Sequence, residues 1–430
     1  MPSKIEEVFF ELPPIIRSGV TILAVPISLT QNIAEQLLKS TGIANGNASD
    51  IVNEIKSYPI WVQRNKISWS INGEFRDFAL KRLNGSGLEV KRKAIAILKD
   101  NQHNFDKAFL ELRDFQLQLA RLSLSIPEEQ ETSMNTLRSV FDTAELFNNH
   151  EGLRVVSNYI DENLTLDENK TTYPAYLLSA FYIKGLQAYR TKNNGSALKY
   201  LTPVWKNRDS SFNSIKDAGI ASHLIGLIYS KNKGMFSEAE YAYKESLKLR
   251  VPVNDKYGLA QVYHSLGNLY KDHDKITDAE NVYLKSIETG NEINHNHHLA
   301  QVYHSLGNLY SKDKNKFKEA ESAYLQSLSL LKKLDDKYGL AQVYHSLGNL
   351  YSKDRNKFKE AESKYLQSLK LDLANNNNNG LAQVYTSYGK LKCSQRDFKL
   401  AKELFEKALK LETSIYFIDM LKKLIKDLPT

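Results

Sequence analysis

Glutamine, histidine and asparagine return at fixed places in the C-terminal half of this chain. Gln261, Gln301, Gln342 and Gln383 form one row, His264, His304 and His345 a second with His223 behind them, and Asn268, Asn308 and Asn349 a third. Gln to His is a step of three residues and His to Asn a step of four, so on a helix all three project from one face. Asparagine holds a carbonyl acceptor and an amide donor side by side, which match the donor and acceptor of an extended peptide backbone. The places before and after the asparagines are Leu227 and Lys390, so the ladder spans three units and centres a ligand on residues 259–371. Imidazole titrates near pH ~6.5, which would make the histidine row a pH-responsive one.

Other chemistries find less support. Successive histidines of the row lie one repeat apart, roughly 10 Å between packed helices, whereas zinc ligands stand about 2 Å from a shared ion; the row is no single metal site. The loop histidines His295, His297 and His298 lack a carboxylate or cysteine at helical spacing. No G-x-S-x-G elbow, H-E-x-x-H pair or G-x-x-x-x-G-K-[ST] loop occurs in the chain, so neither an activated serine, a zinc hydrolase nor a nucleotide-phosphate cradle is expected. The expectation is a protein that is not an enzyme and needs no cofactor. The lone Cys393 cannot close an internal disulfide, which fits a reducing, cytoplasmic compartment. Residues 1–11 carry three glutamates and no apolar signal core, and the longest apolar stretch, 19–29, falls short of the ~20 residues a membrane helix needs. With 58 Lys and Arg against 50 Asp and Glu, the net charge of +8 permits an acidic partner without requiring nucleic acid.

The elements that position the rows are repeats. Leu-Ala-Gln-Val-Tyr begins at Leu259, Leu299, Leu340 and Leu381, and a glycine recurs at Gly185, Gly226, Gly267, Gly307, Gly348 and Gly389. Six units follow, with Ala144 at the corresponding place of a degenerate seventh. Within one unit, Tyr263, Leu266, Gly267 and Tyr270, then Ala279 and Tyr283, set apolar and small residues at helical spacing on two successive helices. Each unit is therefore a helical hairpin, with the glycine admitting the second helix closely and Tyr283, Tyr324, Tyr365 and Phe405 expected to fill the seams between units. The stretch 414–428 reads as an amphipathic last helix that caps the open end. Residues 299–330 and 340–371 are identical at 29 of 32 positions, a sign of recent duplication under which the polar rows could equally be inherited solubility features.

These motifs resemble the tetratricopeptide repeat family, whose aromatic-x2-Leu-Gly-x2-Tyr and Ala-x3-Phe signature recurs here in four units in a row. The 40- to 41-residue period and the missing proline look like the longer-helix branch found in kinesin light chains and G-protein-signalling modulator adaptors. The resemblance implies a right-handed superhelical solenoid with first helices lining the concave face. It also implies peptide binding, because the asparagine after the first-helix glycine, here Asn268, Asn308 and Asn349, often grips a bound peptide. The lysine pairs of chaperone-tail binders are absent from the rows.

Residues 1–100 have another rhythm. Helices over 29–40 and 49–56, a hairpin from Ile60-Trp61-Val62 to Ile67-Ser68-Trp69-Ser70-Ile71, a closing helix from Glu74 to Leu83 and a further helix over 90–98 give winged-helix order. The stretch resembles the winged-helix segment of signal-transduction ATPases with C-terminal repeats, although Asn72 stands where those proteins often place a nucleotide-contacting histidine. As a DNA reader it is poor: the helix at 49–56 offers only Lys56 as a cation, against Asp50 and Glu54.

The sequence thus predicts an all-α solenoid of six to seven hairpins with a small winged-helix-like domain, divided as 1–100 winged helix, 101–170 helical connector, 171–412 repeats and 413–430 cap. Its expected role is that of a non-catalytic adaptor binding a peptide or protein segment through Gln261, His264, Asn268, Gln301, His304, Asn308, Gln342, His345, Asn349 and Gln383. The competing expectation is the sensor part of a signalling system that docks on a separate ATPase subunit or, less readily, binds DNA; no membrane partner is expected.

Overall fold

The structure is a computed structural model and describes residues 29–43, 47–57, 61–63, 68–71, 87–100, 120, 124, 126–146, 150–167, 173–207, 212–412 and 414–429. The chain forms two compact units, Met1–Asp209 and Ser210–Thr430.

In the first unit a short strand β1 (Leu29–Thr30) leads into α1 (Gln31–Ser40) and α2 (Ala48–Ser57), followed by β2 (Trp61–Gln63), β3 (Ser68–Ile71) and α3 (Gly87–Asp100). The three strands form an antiparallel sheet in the order β1-β3-β2, with Leu29 opposite Trp69 and Trp61 opposite Ile71. Leu29 and Thr30 thus belong to the sheet rather than to the first helix, a pairing made available by the edge that the hairpin presents. Ile33, Leu37 and Leu38 of α1 are buried, as are Val52 and Ile55 of α2. Strand, two helices and hairpin follow the winged-helix order; the expected closing helix at 74–83 lies outside the described residues. A 3-10 turn at Pro127–Glu129 starts α4 (Gln130–Leu146), which packs on α5 (His150–Asn163) and α6 (Ala175–Arg190), and α6 pairs with α7 (Asn194–Lys206).

The second unit is five hairpins and a cap. The hairpins are α8/α9 (Phe212–Tyr229, Phe236–Arg250), α10/α11 (Lys256–Asp272, Ile276–Glu292), α12/α13 (Asn296–Tyr310, Phe317–Lys333), α14/α15 (Lys337–Tyr351, Phe358–Ala374) and α16/α17 (Asn378–Ser394, Phe398–Leu411). Each second helix also packs on the first helix of the next hairpin, and the first helices α8 and α10, α10 and α12, and α14 and α16 touch directly. First helices therefore line the inner face of this unit.

Glycine sets the closeness within a hairpin. A Cβ on Gly267, Gly307 or Gly348 would stand 2.5–2.6 Å from a ring carbon of Tyr283, Tyr324 or Tyr365, so each ring lies flat over the glycine of its own hairpin. Each ring closes its own hairpin from within, because the missing side chain creates the recess beside it, and also fills the expected seam to the next hairpin, where Tyr365 meets Tyr388 at 5.7 Å between ring centres and Tyr283 packs with Val302 and Leu306. Ala279, Ala320 and Ala361 are fully buried alongside. Ser286, Ser327 and Ser368 of the second helices donate to the Ala260, Ala300 and Ala341 carbonyls at 2.7–2.8 Å, stitching the two helices together.

The period varies at one place only. From the alanine of one hairpin to the glycine of the next is 28 residues at every step from Ala239 to Gly389, whereas glycine to alanine is 12 or 13. The 12-residue hairpins turn through one non-glycine residue at positive φ, Asp274 (56°) or Arg396 (63°). The 13-residue hairpins instead use a 3-10 turn whose entry Asn232, Asp313 or Asp354 accepts from a backbone N–H.

Junctions between hairpins are individually fitted. Arg250 of α9 occupies the space beside Gly258, Leu331 that beside Gly339, and Asp372 that beside Gly380, while Gly290 leaves room for Leu299, with the His298 ring next to it. Buried Arg250 pairs with Asp255 and Ser246. Asp372 accepts from Asn377 at 2.7 Å, and burial pushes its carboxyl up from the ordinary range. The cap α18 (Ile415–Lys426) covers α17 through Leu421, 1% exposed, against Ala401, Phe405 and Ala408. Phe417 of the same helix is 47% exposed beside Tyr416.

Candidate functional site

The three polar rows have three different situations. Gln301, Gln342 and Gln383 are exposed on the inner face and Gln261 is partly so; none of their side chains makes a hydrogen bond among the described residues.

The histidines are turned sideways. Nε2 of His223, His264, His304 and His345 lies 2.8–2.9 Å from the hydroxyl of Ser265, Ser305, Ser346 and Ser387, each on the first helix of the following hairpin. Burial drives all four imidazoles far below the ordinary value, to about 3 for His223 and His264 and to about 4 for His304 and His345. They are neutral clasps between repeats, so a row expected to face a ligand and to respond near pH ~6.5 instead holds the inner face together. Their partners were visible in the sequence as a row of serines displaced one repeat from the row of histidines: Leu224 stands at the first serine place and Thr386 at the last histidine place.

The asparagines are oriented from behind. The hydroxyls of Tyr283, Tyr324 and Tyr365 donate to Oδ1 of Asn268, Asn308 and Asn349 at 2.7–2.8 Å. With Oδ1 occupied, each amide presents Nδ2, which has no hydrogen-bond partner among the described residues; the row offers donors to an acceptor such as a peptide carbonyl. Burial pushes the tyrosine hydroxyls above their ordinary range, and Tyr365 is held at about 12. The pairing stops where the asparagines stop. Tyr243, opposite Leu227, reaches Ser230 at 3.4 Å, and opposite Lys390 the ring is Phe405, which has no hydroxyl.

The loop histidines serve the fold. His295 Nδ1 caps α12 by accepting from the His298 N–H at 3.2 Å, and the buried His298 ring meets Ser286 at 2.9 Å. Among the described residues no group of three His, Cys, Asp or Glu side chains could hold a metal ion. In the first unit Lys56 donates to Gln31, so the one cation of that helix is already engaged. Among the described residues no helix is long and apolar enough to cross a membrane.

The family profile of the soluble NSF attachment proteins (SNAP) matches residues 254–419. No curated protein matches the chain. Among solved structures, the chain is similar to BtubC (BKLC) from P. vanneervenii, at 19% identity over 58% of this chain and 94% of that one with a TM-score of 0.41. It is also similar to a signal transduction ATPase with numerous domains bearing a tetratricopeptide repeat sensor, from Pyrococcus horikoshii, at 14% identity over 98% of this chain and 64% of that one, TM-score 0.46. A third is aspartyl phosphate phosphatase F from Bacillus subtilis, at 12% identity over 93% and 95% of the two chains, TM-score 0.46. With a glycine under the ring of each hairpin, a buried alanine beside it and first helices ranged along one face, the repeats of this chain are tetratricopeptide-type helical hairpins.

Proposed function

We propose that this protein is a non-catalytic interaction module whose inner face, from α10 to α16, binds an extended segment of a partner protein. The observation that carries this reading is the set of three tyrosine-oriented amides, Asn268, Asn308 and Asn349, each with a free N–H donor beside an unpaired glutamine. A solvated surface has no need of buried hydroxyls to fix its amides, whereas a ladder of preset donors lowers the ordering cost of holding a carbonyl-bearing chain. The histidines act behind this face by fixing each first helix to the next. The single cysteine and the module's role fit a reducing compartment, the cytoplasm.

The test is affinity capture of partners by the intact chain and by two variants, Q301A/Q342A/Q383A and N268A/N308A/N349A, with retained proteins identified by mass spectrometry and affinities measured by titration. The glutamine variant touches no internal hydrogen bond, so its helicity should equal that of the unmodified chain. A partner lost with both variants supports the reading. Unchanged affinity for both would remove the inner face from consideration.

A further inference from the structure

The inner face changes character along the second unit. Read across five first helices, the asparagine row runs Leu227, Asn268, Asn308, Asn349, Lys390, and the glutamine row runs Ile220, Gln261, Gln301, Gln342, Gln383. At the α8 end both rows are apolar: Ile220, Leu224 and Leu227 are partly exposed, and Leu227 leans on the core of the following hairpins. At the α16 end Lys390 is exposed and its ammonium has no ion-pair partner among the described residues. The lysine series one turn further along the same helices, Lys312 and Lys353, adds positive charge at the rim, with Lys312 near Asp274 at 3.7 Å. The glutamine, histidine and asparagine rows carry no carboxylate in any of the five hairpins, and the lysine series carries one, Asp272 in α10, which Lys271 approaches at 3.4 Å.

Building on the extended-segment reading above, we propose that this face distinguishes the two ends of its ligand: the preferred partner segment is a peptide of about twelve residues with an apolar side chain over Ile220 and Leu227 and a carboxylate at Lys390. The length follows from the helices. Packed neighbours stand about 8–10 Å apart, so four steps from α8 to α16 span roughly 32–40 Å, which an extended chain at about 3.3 Å per residue covers in about ten to twelve residues. The chemistry follows from the end groups. An amide row alone would accept a backbone in either direction and of any sequence. A cation replacing the last amide favours a negative group there and disfavours a positive one, and an apolar patch replacing the first favours a side chain that leaves water. The substitution at Lys390 coincides with the loss of the orienting hydroxyl, since Phe405 replaces tyrosine in that hairpin; the last rung is therefore built for a charge and not for an amide.

The probe is a random dodecapeptide library displayed on phage and panned on the full chain, on K390E, an exposed change, and on L227N, a half-buried one, each used after its helicity is shown to equal that of the unmodified chain. The expected result is enrichment of an acidic residue at one end of the recovered peptides and an apolar one at the other. K390E should exchange the acidic preference for a basic one, and L227N should erase the apolar preference while keeping the acidic one. Synthetic copies of a recovered peptide then separate the two sources of a carboxylate. Replacing the acidic side chain by its amide should weaken binding about five-fold, and a free C-terminal carboxylate placed at that position should restore it if either source serves. If peptides are recovered and N268A/N308A/N349A releases them, yet K390E and L227N select the same sequences as the unmodified chain, the end preference is wrong while the groove reading stands. If no peptide is enriched, or the asparagine variant holds the peptides equally well, both fall.

Discussion

The Tyr324 hydroxyl donates to Asn308 Oδ1 at 2.8 Å from the other helix of the same hairpin, and the same pair forms at Tyr283 with Asn268 and at Tyr365 with Asn349. One member of each pair is a core ring and the other a surface amide, so changes to the two should have different costs. In N308A the buried hydroxyl loses its acceptor, an expected destabilisation of about 1–3 kcal/mol. In Y324F the half-exposed amide can turn to water, and the expected cost is under about 1 kcal/mol. Denaturant unfolding of both variants checks this; equal losses would mean that the hydroxyl has another adequate acceptor.

Y283F/Y324F/Y365F leaves every asparagine in place but removes what orients it. Partner affinity should fall by several-fold with helicity retained, because three amides must be ordered on binding. Titration against a captured partner decides it, and undiminished affinity would show that orientation contributes nothing.

Acidification should loosen the repeats. The clasp histidines hold folded-state values of about 3 to 4, below the ordinary value near 6.5. A base depressed by folding contributes stability that is fully present above pH ~6.5 and is lost as the pH falls toward 4, with up to about 1.4 kcal/mol per pH unit for each histidine. The chemical-unfolding midpoint should therefore drop between pH 7 and 5, and H304Q should shallow that dependence. An identical pH profile in H304Q would refute the clasp.

Gly307→Ala forces a Cβ to within 2.5 Å of the Tyr324 ring and should cost about 1–3 kcal/mol. Gly195→Ala, in α7, meets nothing closer than 3.9 Å and should instead stabilise by about 0.5–1 kcal/mol. Opposite signs in paired thermal melts are the expected outcome.

Truncating Leu421 to alanine uncovers Phe405 at the end of the array, at an expected cost of about 2–4 kcal/mol. Hydrogen exchange should show the loss first in α17 and α18, since in stacked repeats each hairpin answers to its neighbours.

Much of this architecture is legible in the amino-acid order. Repeated Leu-Gly and Ala-x3-Tyr spacing fixed the hairpins, and the place of the helices followed. What escaped was which neighbour each side chain chooses. Periodicity says that Tyr283 is inside, yet only the recess over Gly267 decides that its ring closes its own hairpin and its hydroxyl meets Asn268. The histidines share a face with the glutamines on a helical wheel, but the following helix comes close enough for Ser305 to draw His264 sideways and shield it. A single helix cannot reveal that, since the relevant surface is made by two.

The fitted junctions have a consequence for a chain that contains nearly the same hairpin twice. Residues 299–330 and 340–371 differ at three positions, so by their bodies alone either copy could take the other's seat, or pair with the same copy in a second molecule. The linkers forbid it: guanidinium beside glycine at 250/258, glycine beside imidazole at 290/298, leucine beside glycine at 331/339 and carboxyl beside glycine at 372/380. Exchange would set Gly339 against Gly290, leaving a void where the His298 ring now sits, and bring the Asp372 carboxyl against that ring. The order of the units is thus encoded as a series of unlike locks, and duplication could multiply the inner face without making its parts interchangeable.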